Sequence, residues 1–192
     1  GQCNKTFFHD IMVLNPGQYL IYDLNAKKIS EKKYYYDVNN FISKDVYQEL
    51  DGLSLAESLN RLDINIHQSI QHRLVSDAPV GISLSGGLDS SLIALIASKL
   101  KENVSFYHVS VYGNEGNKLF YETDYAENVA SKLHKKLNIV SQTKENYLKN
   151  LVDVIYYNDL PIIHPNSVSN YLLSSLARSQ GVKVLLCGEG AD

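Results

Sequence analysis

Between Val80 and Leu100 the sequence VGISLSGGLDSSLIALIASKL changes its period. Val80, Ile82 and Leu84 alternate as in a buried strand, whereas Leu92, Leu95, Ile96 and Leu100 recur at helical spacing. The seam between the two is a knot of Ser and Gly. The same alternation continues downstream. A second strand fits Val104 to Val111, and Ala126, Val129, Ala130, Leu133 and Leu137 mark the helix after it, followed by a short strand near Asn138 to Val140. Leu148, Leu151, Val152 and Ile155 mark another helix, stopped before Pro161. Ser167 is placed to cap a helix carrying Tyr171, Leu172 and Leu176, which Gly181 ends. The apolar run Val182 to Cys187 reads as a buried strand. Strands alternating with helices predict an α/β fold: a mostly parallel sheet with helices on both faces.

The residues before this region read differently. Short runs at Gln18 to Tyr22 and Lys33 to Tyr36 are separated by the turn signals Asn15-Pro16-Gly17 and Asn25-Ala26, which predicts a β-hairpin. So short a β segment lacks a core of its own and is expected to be the remnant of a larger domain. The polar stretch Asn39 to Gly52 reads as a linker. Ser54 and Glu57 then have the capping-box spacing, and Leu55, Leu59, Leu62, Ile66 and Ile70 continue as a helical stripe expected to be plain core.

With 192 residues, 44% of them hydrophobic, the chain can bury a sizeable core, and disorder is not expected. It shows neither an apolar run long enough to span a membrane nor a signal-peptide pattern, so a cytoplasmic protein is expected. Cys3 and Cys187 lie far apart and form no metal-ligand spacing, which fits a reducing compartment. A net charge of −3 argues against a general nucleic-acid binder, which carries a basic excess to displace counterions. A local site for a small anion is compatible with that charge.

In an open parallel sheet, ligands sit beyond the carboxyl ends of strands, where Ser85 to Ser90 falls. Gly86 and Gly87 permit a sharp bend and close approach, the helix start presents unpaired N–H groups, and Ser85, Ser90 and Ser91 add hydroxyl donors. This reads as a phosphate cradle. Asp89 would repel an anion there unless a cation stood between them, and magnesium is suited to join a carboxylate to phosphate oxygens. The plainer alternative is a helix-capping Asp in a Gly-rich turn. No Lys follows the glycines, so this is not a Walker A loop. A second strand end, VLLCGEGAD at Val184 to Asp192, carries two carboxylates, with Asp192 placed to share the metal and Glu189 to face the reacting groups. On its own that segment could equally be a plain turn.

Together these segments resemble the synthetase domain of the asparagine synthetase family, among the N-type ATP pyrophosphatases. The resemblance rests on SGGLDSS at Ser85 to Ser91, GEGAD at Gly188 to Asp192, YETDYAENVASKL at Tyr121 to Leu133 and NPGQYLIYD at Asn15 to Asp23. It implies an adenine nucleotide α-hydrolase-like fold, with residues 1–40 the end of a glutaminase-like domain, 41–52 a linker and 53–192 a synthetase domain truncated at its C-terminus. It also implies a reaction: ATP activates a carboxylate as an acyl-adenylate, releasing pyrophosphate, and glutamine-derived ammonia then gives the amide and AMP. On this reading Ser85, Gly86, Gly87 and Ser90 grip the pyrophosphate portion, and Asp89 and Asp192 hold magnesium. Ser83, Val109, Cys187 and Gly188 take the nucleoside-contacting positions, and Glu189 that of the glutamate needed for adenylation or for proton removal from the amine.

Ser83 and Cys187 stand where the family often has Leu and Ser, and NDLPIIHPNSVSNYLL at Asn158 to Leu173 departs from its usual Asp-Glu-Pro form. That departure points to the acceptor acid. Aspartate is the first expectation. A sugar acid or ring-closing substrate is the second, and a nucleotide-binding piece without chemistry the third. His164 is expected to be structural or solvent-facing rather than a base, and the tyrosines at Tyr34 to Tyr36 to pack on their own domain. Cys3 is not expected to be a nucleophile. The piece is expected to lack the family's C-terminal lysine and to be inactive alone. Expected partners are ATP, a small carboxylate and ammonia from a glutaminase domain, with no nucleic acid and no membrane; an oligomer is compatible with the sequence.

Overall fold

The computed structural model describes residues 5–37, 40, 42–112, 122–161 and 164–189. The chain divides into two compact units, Gly1–Leu62 and Asp63–Asp192. In the smaller unit, strands β1 (Gln18–Asp23) and β2 (Lys28–Tyr34) form an antiparallel hairpin. The Asp23 carboxylate sets its turn by accepting the N–H groups of Asn25 and Ala26, both at 2.8 Å. Because Asp23 pairs with Lys28, β2 begins well before the tyrosine-rich run. Tyr34, Tyr35 and Tyr36 are exposed, which corrects the expectation that they pack inward. Cys3 lies outside the described residues.

Helix α1 (Lys44–Asp51) occupies most of the stretch read as linker, capped by the Ser43 hydroxyl, which accepts the Val46 N–H at 3.2 Å. None of its residues is buried, so its polarity reflects a solvated helix. Helix α2 (Leu55–Leu74) opens on the expected capping box. Glu57 Oε2 accepts the Ser54 N–H at 2.9 Å and its hydroxyl at 2.6 Å, while Ser54 Oγ accepts the Glu57 N–H at 3.3 Å.

The hydroxyl bond, followed by the backbone one, holds the Glu57 pKa below its ordinary 4.5. A carboxyl depressed in the folded state adds stability above its unfolded pKa and loses it as the pH falls through the folded one. The start of α2 is therefore expected to fray only below pH 4.5. A carboxyl titration followed by NMR is expected to place the Glu57 midpoint below 4.5 and to show it moving upward in Ser54→Ala; an unmoved midpoint would refute the cap's electrostatic role.

The apolar stripe of α2 divides at the unit boundary. Leu55, Leu59 and Leu62 are exposed, correcting the core reading for that half, whereas Ile70 and Leu74 are buried and Ile66 packs against them. Periodicity identifies a helix face; burial requires a partner surface as well.

The larger unit holds strands β3 (Val80–Ser83), β4 (Ser105–Val111), β5 (Leu137–Gln142) and β6 (Val184–Leu186) in one sheet of order β5-β4-β3-β6, parallel throughout. Helices α3 (Leu88–Leu100), α4 (Glu122–Lys132), α5 (Lys144–Asn158) and α6 (Asn166–Ser179) connect them. Side chains alternate across the sheet. On one face Ile82, Phe106, Val184 and Leu186 meet Ala94, Ile96 and Ala97 of α3, Ala126 and Ala130 of α4, and Ile70 and Leu74 of α2. On the other, Tyr107, Val109, Val140 and Leu185 meet Leu173, Leu176 and Ala177 of α6. This is the expected α/β architecture with helices on both faces. No helix among the described residues is long and apolar enough to cross a membrane.

Three local expectations are corrected. Leu137 belongs to β5, because α4 ends at Lys132 and His134 takes φ of 53°. Helix α6 starts at Asn166 rather than after Ser167, and the Asn166 N–H donates to His164 Nδ1 at 3.2 Å. That bond leaves His164 a structural part of the helix start, as expected. Strand β6 is half-buried rather than buried, since among the described residues β3 alone pairs with it.

The chain runs from β3 outward through β4 to β5, then returns to place β6 on the other side of β3. The strand order reverses between β3 and β6, and such a reversal opens a crevice at the carboxyl ends of the two strands.

Candidate active site

At that crevice the loop Ser85–Gly87 leaves β3 and delivers α3. Gly188, just past β6, lies so close to the first turn of α3 that a Cβ there would be 2.9 Å from the Ser90 nitrogen and 3.0 Å from Asp89 Cβ. A side chain at this point would separate the two strand ends. Between them is a hollow of about 240 Å³, lined by Ser83, by Ser85, Gly87, Asp89 and Ser90, and by Cys187, Gly188 and Glu189. Eight residues singled out from two distant segments of sequence thus share one cavity.

Gly86 and Val109 stand apart from that hollow. Gly86 has φ of +86°, and a Cβ there would fall 2.6 Å from the Ala126 nitrogen and 2.7 Å from Tyr125 Cβ. Its small size seats the loop on the first turns of α4. Val109 lines a neighbouring cleft of about 310 Å³ that also reaches Ser83, Ser85 and Glu189. Ser91 lines neither; its N–H makes the first α3 bond, to the Gly87 carbonyl at 3.0 Å. Gly190–Asp192, with the second expected metal ligand, lie outside the described residues.

The hydroxyls of the loop bind one another. Ser90 Oγ donates to the Gly87 carbonyl at 3.2 Å and accepts the Ser85 N–H at 3.2 Å, so the Ser85 hydroxyl, 2.9 Å away, donates to Ser90. Ser85 Oγ also accepts the Gly87 N–H at 3.3 Å. These hydroxyls shape the loop in this state. The backbone N–H groups of Leu88, Asp89 and Ser90 precede the first intrahelical bond, and Asp89 and Ser90 border the hollow. No side chain caps them, because the N-cap is Gly87. An uncapped 13-residue helix aimed at a polar hollow is suited to an anion.

Asp89 and Glu189 are exposed carboxylates on the same hollow. Alone they oppose the helix N-terminus as an anion site; together with it they fit an anion accompanied by a hard divalent cation, which takes few carboxylates and completes its shell with water and phosphate oxygens. Among the described residues no three His, Cys, Asp or Glu side chains cluster as a metal site.

The structure adds residues that the sequence reading passed over. His108, Glu122, Asn166, Ser169 and Asn170 line the 310 Å³ cleft with Val109. On the opposite flank, Asn65, Ser69 and Arg73 of α2 border a cleft of about 650 Å³ that also touches Asp89, Cys187, Gly188 and Glu189. A signal for the latter existed: Asn65, Ser69 and Arg73 recur every four residues and so share one face of α2. His108 was visible as a polar residue within an apolar strand pattern. Cys187 is exposed and unpaired with any described cysteine.

Compared with known proteins, residues 61–192 match the family described as asparagine synthase. An amidase of Penicillium rubens, chyE, is 27% identical over 98% of this chain and 29% of its own length. A glutamine-hydrolysing asparagine synthetase of Bacillus subtilis is 32% identical over 66% of this chain and 19% of its own. Asparagine synthetase B of Escherichia coli K12, also glutamine-hydrolysing, is 31% identical over 69% of this chain and 26% of its own. The chain therefore spans less than a third of the length of these relatives.

Proposed function

The chain belongs to the asparagine synthase family, and from that premise we propose that its larger unit binds ATP at the β3–β6 crevice and serves the ATP-dependent amidation of a carboxylic acid. The observation that carries this reading is the hollow shared by Ser85, Gly87, Asp89, Gly188 and Glu189 at a strand-order reversal. An anion site at the start of α3 suits the β- and γ-phosphates, and the adjoining cleft at Val109 suits the nucleoside. Asp89 and Asp192 are assigned to magnesium, which would neutralise charge on the leaving pyrophosphate. Glu189 borders both cavities and is assigned to the reacting end, as the carboxylate that takes a proton from the attacking amine or aids adenylation. Ser83 and Val109, which border the nucleoside cleft, and Cys187 and Gly188, which border the adjoining hollow, are assigned to nucleoside contacts, which main-chain groups can make whatever the side chain.

The first acceptor to test is aspartate, with ammonia released from glutamine, in the manner of asparagine synthetases. Full-length protein supplied with magnesium, ATP, aspartate and ammonia is expected to release AMP and pyrophosphate in equal amounts, dependent on the acid. Release of ADP and phosphate would rule the reading out. The similarity to an amidase over nearly the whole chain favours a second reading, in which the same chemistry acts on another acid. In that case aspartate leaves ATP intact while a different carboxylic acid drives pyrophosphate release.

A further inference from the structure

Beneath the loop lies a buried hydrogen-bonded chain headed by His108, whose ring also borders the 310 Å³ cleft. His108, 4% exposed, projects from the middle of β4. Its Nδ1 lies 2.8 Å from the Leu84 carbonyl oxygen and its Nε2 lies 3.0 Å from Thr123 Oγ1. Thr123 and Ser110, both buried, bond to each other at 2.9 Å. A carbonyl oxygen can only accept, so Nδ1 carries a proton and donates to Leu84.

The position of each partner gives the chain its meaning. Leu84 stands one residue beyond Ser83–Tyr107, the last paired register of β3 with β4; its N–H still donates to the Tyr107 carbonyl at 2.8 Å, while its own carbonyl turns to His108. Its carbonyl is buried and needs a donor there, which the imidazole supplies. Thr123 is in the first turn of α4, the same helix start against which Gly86 sits without room for a Cβ. His108 thus joins the residue before SGG to the platform beneath SGG.

We infer that His108 is a positioning residue for the bound phosphates: it holds Leu84 to the start of α4, and through Leu84 it fixes where Ser85 and the α3 N–H groups face the hollow. This rests on the ATP-binding reading above. Its loss is expected to weaken nucleotide binding more than its effect on folding would explain, and Thr123, which borders neither cavity, separates an effect through the loop from a direct contact of the ring with nucleotide.

The test measures Mg-ATP binding to the full-length protein by calorimetry, with thermal midpoints recorded alongside, for the parent protein, His108→Leu, His108→Asn and Thr123→Val. Leucine removes the bonds to Leu84 and Thr123; asparagine retains an N–H near Nδ1; valine keeps the shape of Thr123 without its hydroxyl. Leaving a buried carbonyl without its donor is expected to raise Kd about 10-fold in His108→Leu, with a smaller rise in Thr123→Val and partial recovery in His108→Asn. A purely structural role would lower the thermal midpoint and leave the Kd of the folded protein unchanged. A parent-like Kd in Thr123→Val would overturn the inference while leaving ATP binding in place, whatever His108→Leu shows, because only the ring borders the nucleoside cleft. Failure of the parent protein itself to bind Mg-ATP would overturn the ATP reading and this inference together.

Discussion

In Asp89→Asn, magnesium-dependent ATP turnover by the full-length protein is expected to fall at least about 100-fold, while the folded state changes by no more than about 1 kcal/mol. The two effects separate because Asp89 is exposed in the first turn of α3, yet borders the hollow at the helix start. Its stabilising role is limited to an acidic residue near a helix N-terminus. Its chemical role is larger. A carboxylate among phosphate-binding N–H groups is tolerable only with a cation between it and the ligand, so charge removal has opposite consequences with and without metal. With magnesium, Asp89→Asn is expected to bind ATP more weakly than the parent. In chelator, the repulsion is gone and the variant is expected to bind metal-free ATP at least as tightly as the parent does. Calorimetry under both conditions reads the crossover, and identical affinities for parent and variant would remove Asp89 from the metal site.

Gly86→Ala is expected to cost about 2–4 kcal/mol of stability, combining a left-handed backbone penalty of about 1–2 kcal/mol with the overpacking typical of a forced contact. Gly86 has φ of +86°, and the added carbon would lie 2.6 Å from a backbone nitrogen, which cannot rotate away as a side-chain tip could. The loop or α4 must move. A lowering of the melting temperature of order 10 °C is expected by differential scanning calorimetry, together with weaker ATP binding in the protein that remains folded. Gly87→Ala is the control: a Cβ there meets only Ser85 Oγ, at 3.5 Å, and its φ is −70°. An equal loss in both variants would show that the loop tolerates no side chain anywhere, and that the seat on α4 is not the cause.

Much of the larger unit could be read from residue patterns because its elements obey local rules. The period changes at Val80–Leu100, the apolar runs on either side of helices and the Ser54–Glu57 cap each depend on groups a few residues apart. The errors share the opposite dependence. Leu55, Leu59 and Leu62 have the spacing of a core face but are exposed, and α1 was hidden in a polar stretch because a solvated helix needs no apolar stripe. The helix start at Asn166 was missed because its N–H is met by an imidazole at His164 rather than by a conventional capping residue.

The candidate site divides in the same way. From local chemistry alone, the chain specified which residue types stand at the ends of two strands: glycines where backbone must come close, serines and N–H groups that donate, and carboxylates that demand a cation. Only the folded sheet decided that those ends are neighbours, since β3 and β6 are separated by about a hundred residues and adjacency between them depends on the reversal of strand order. It also decided what each small or polar residue does. Gly86 makes room for α4, Gly188 lets β6 approach α3, and His108, hidden in β4, meets a carbonyl and a hydroxyl from two other elements. Propensity and period arise within a few residues of chain and leave their mark on sequence; steric room and long-range hydrogen bonds belong to pairs of segments and exist only after the segments have packed.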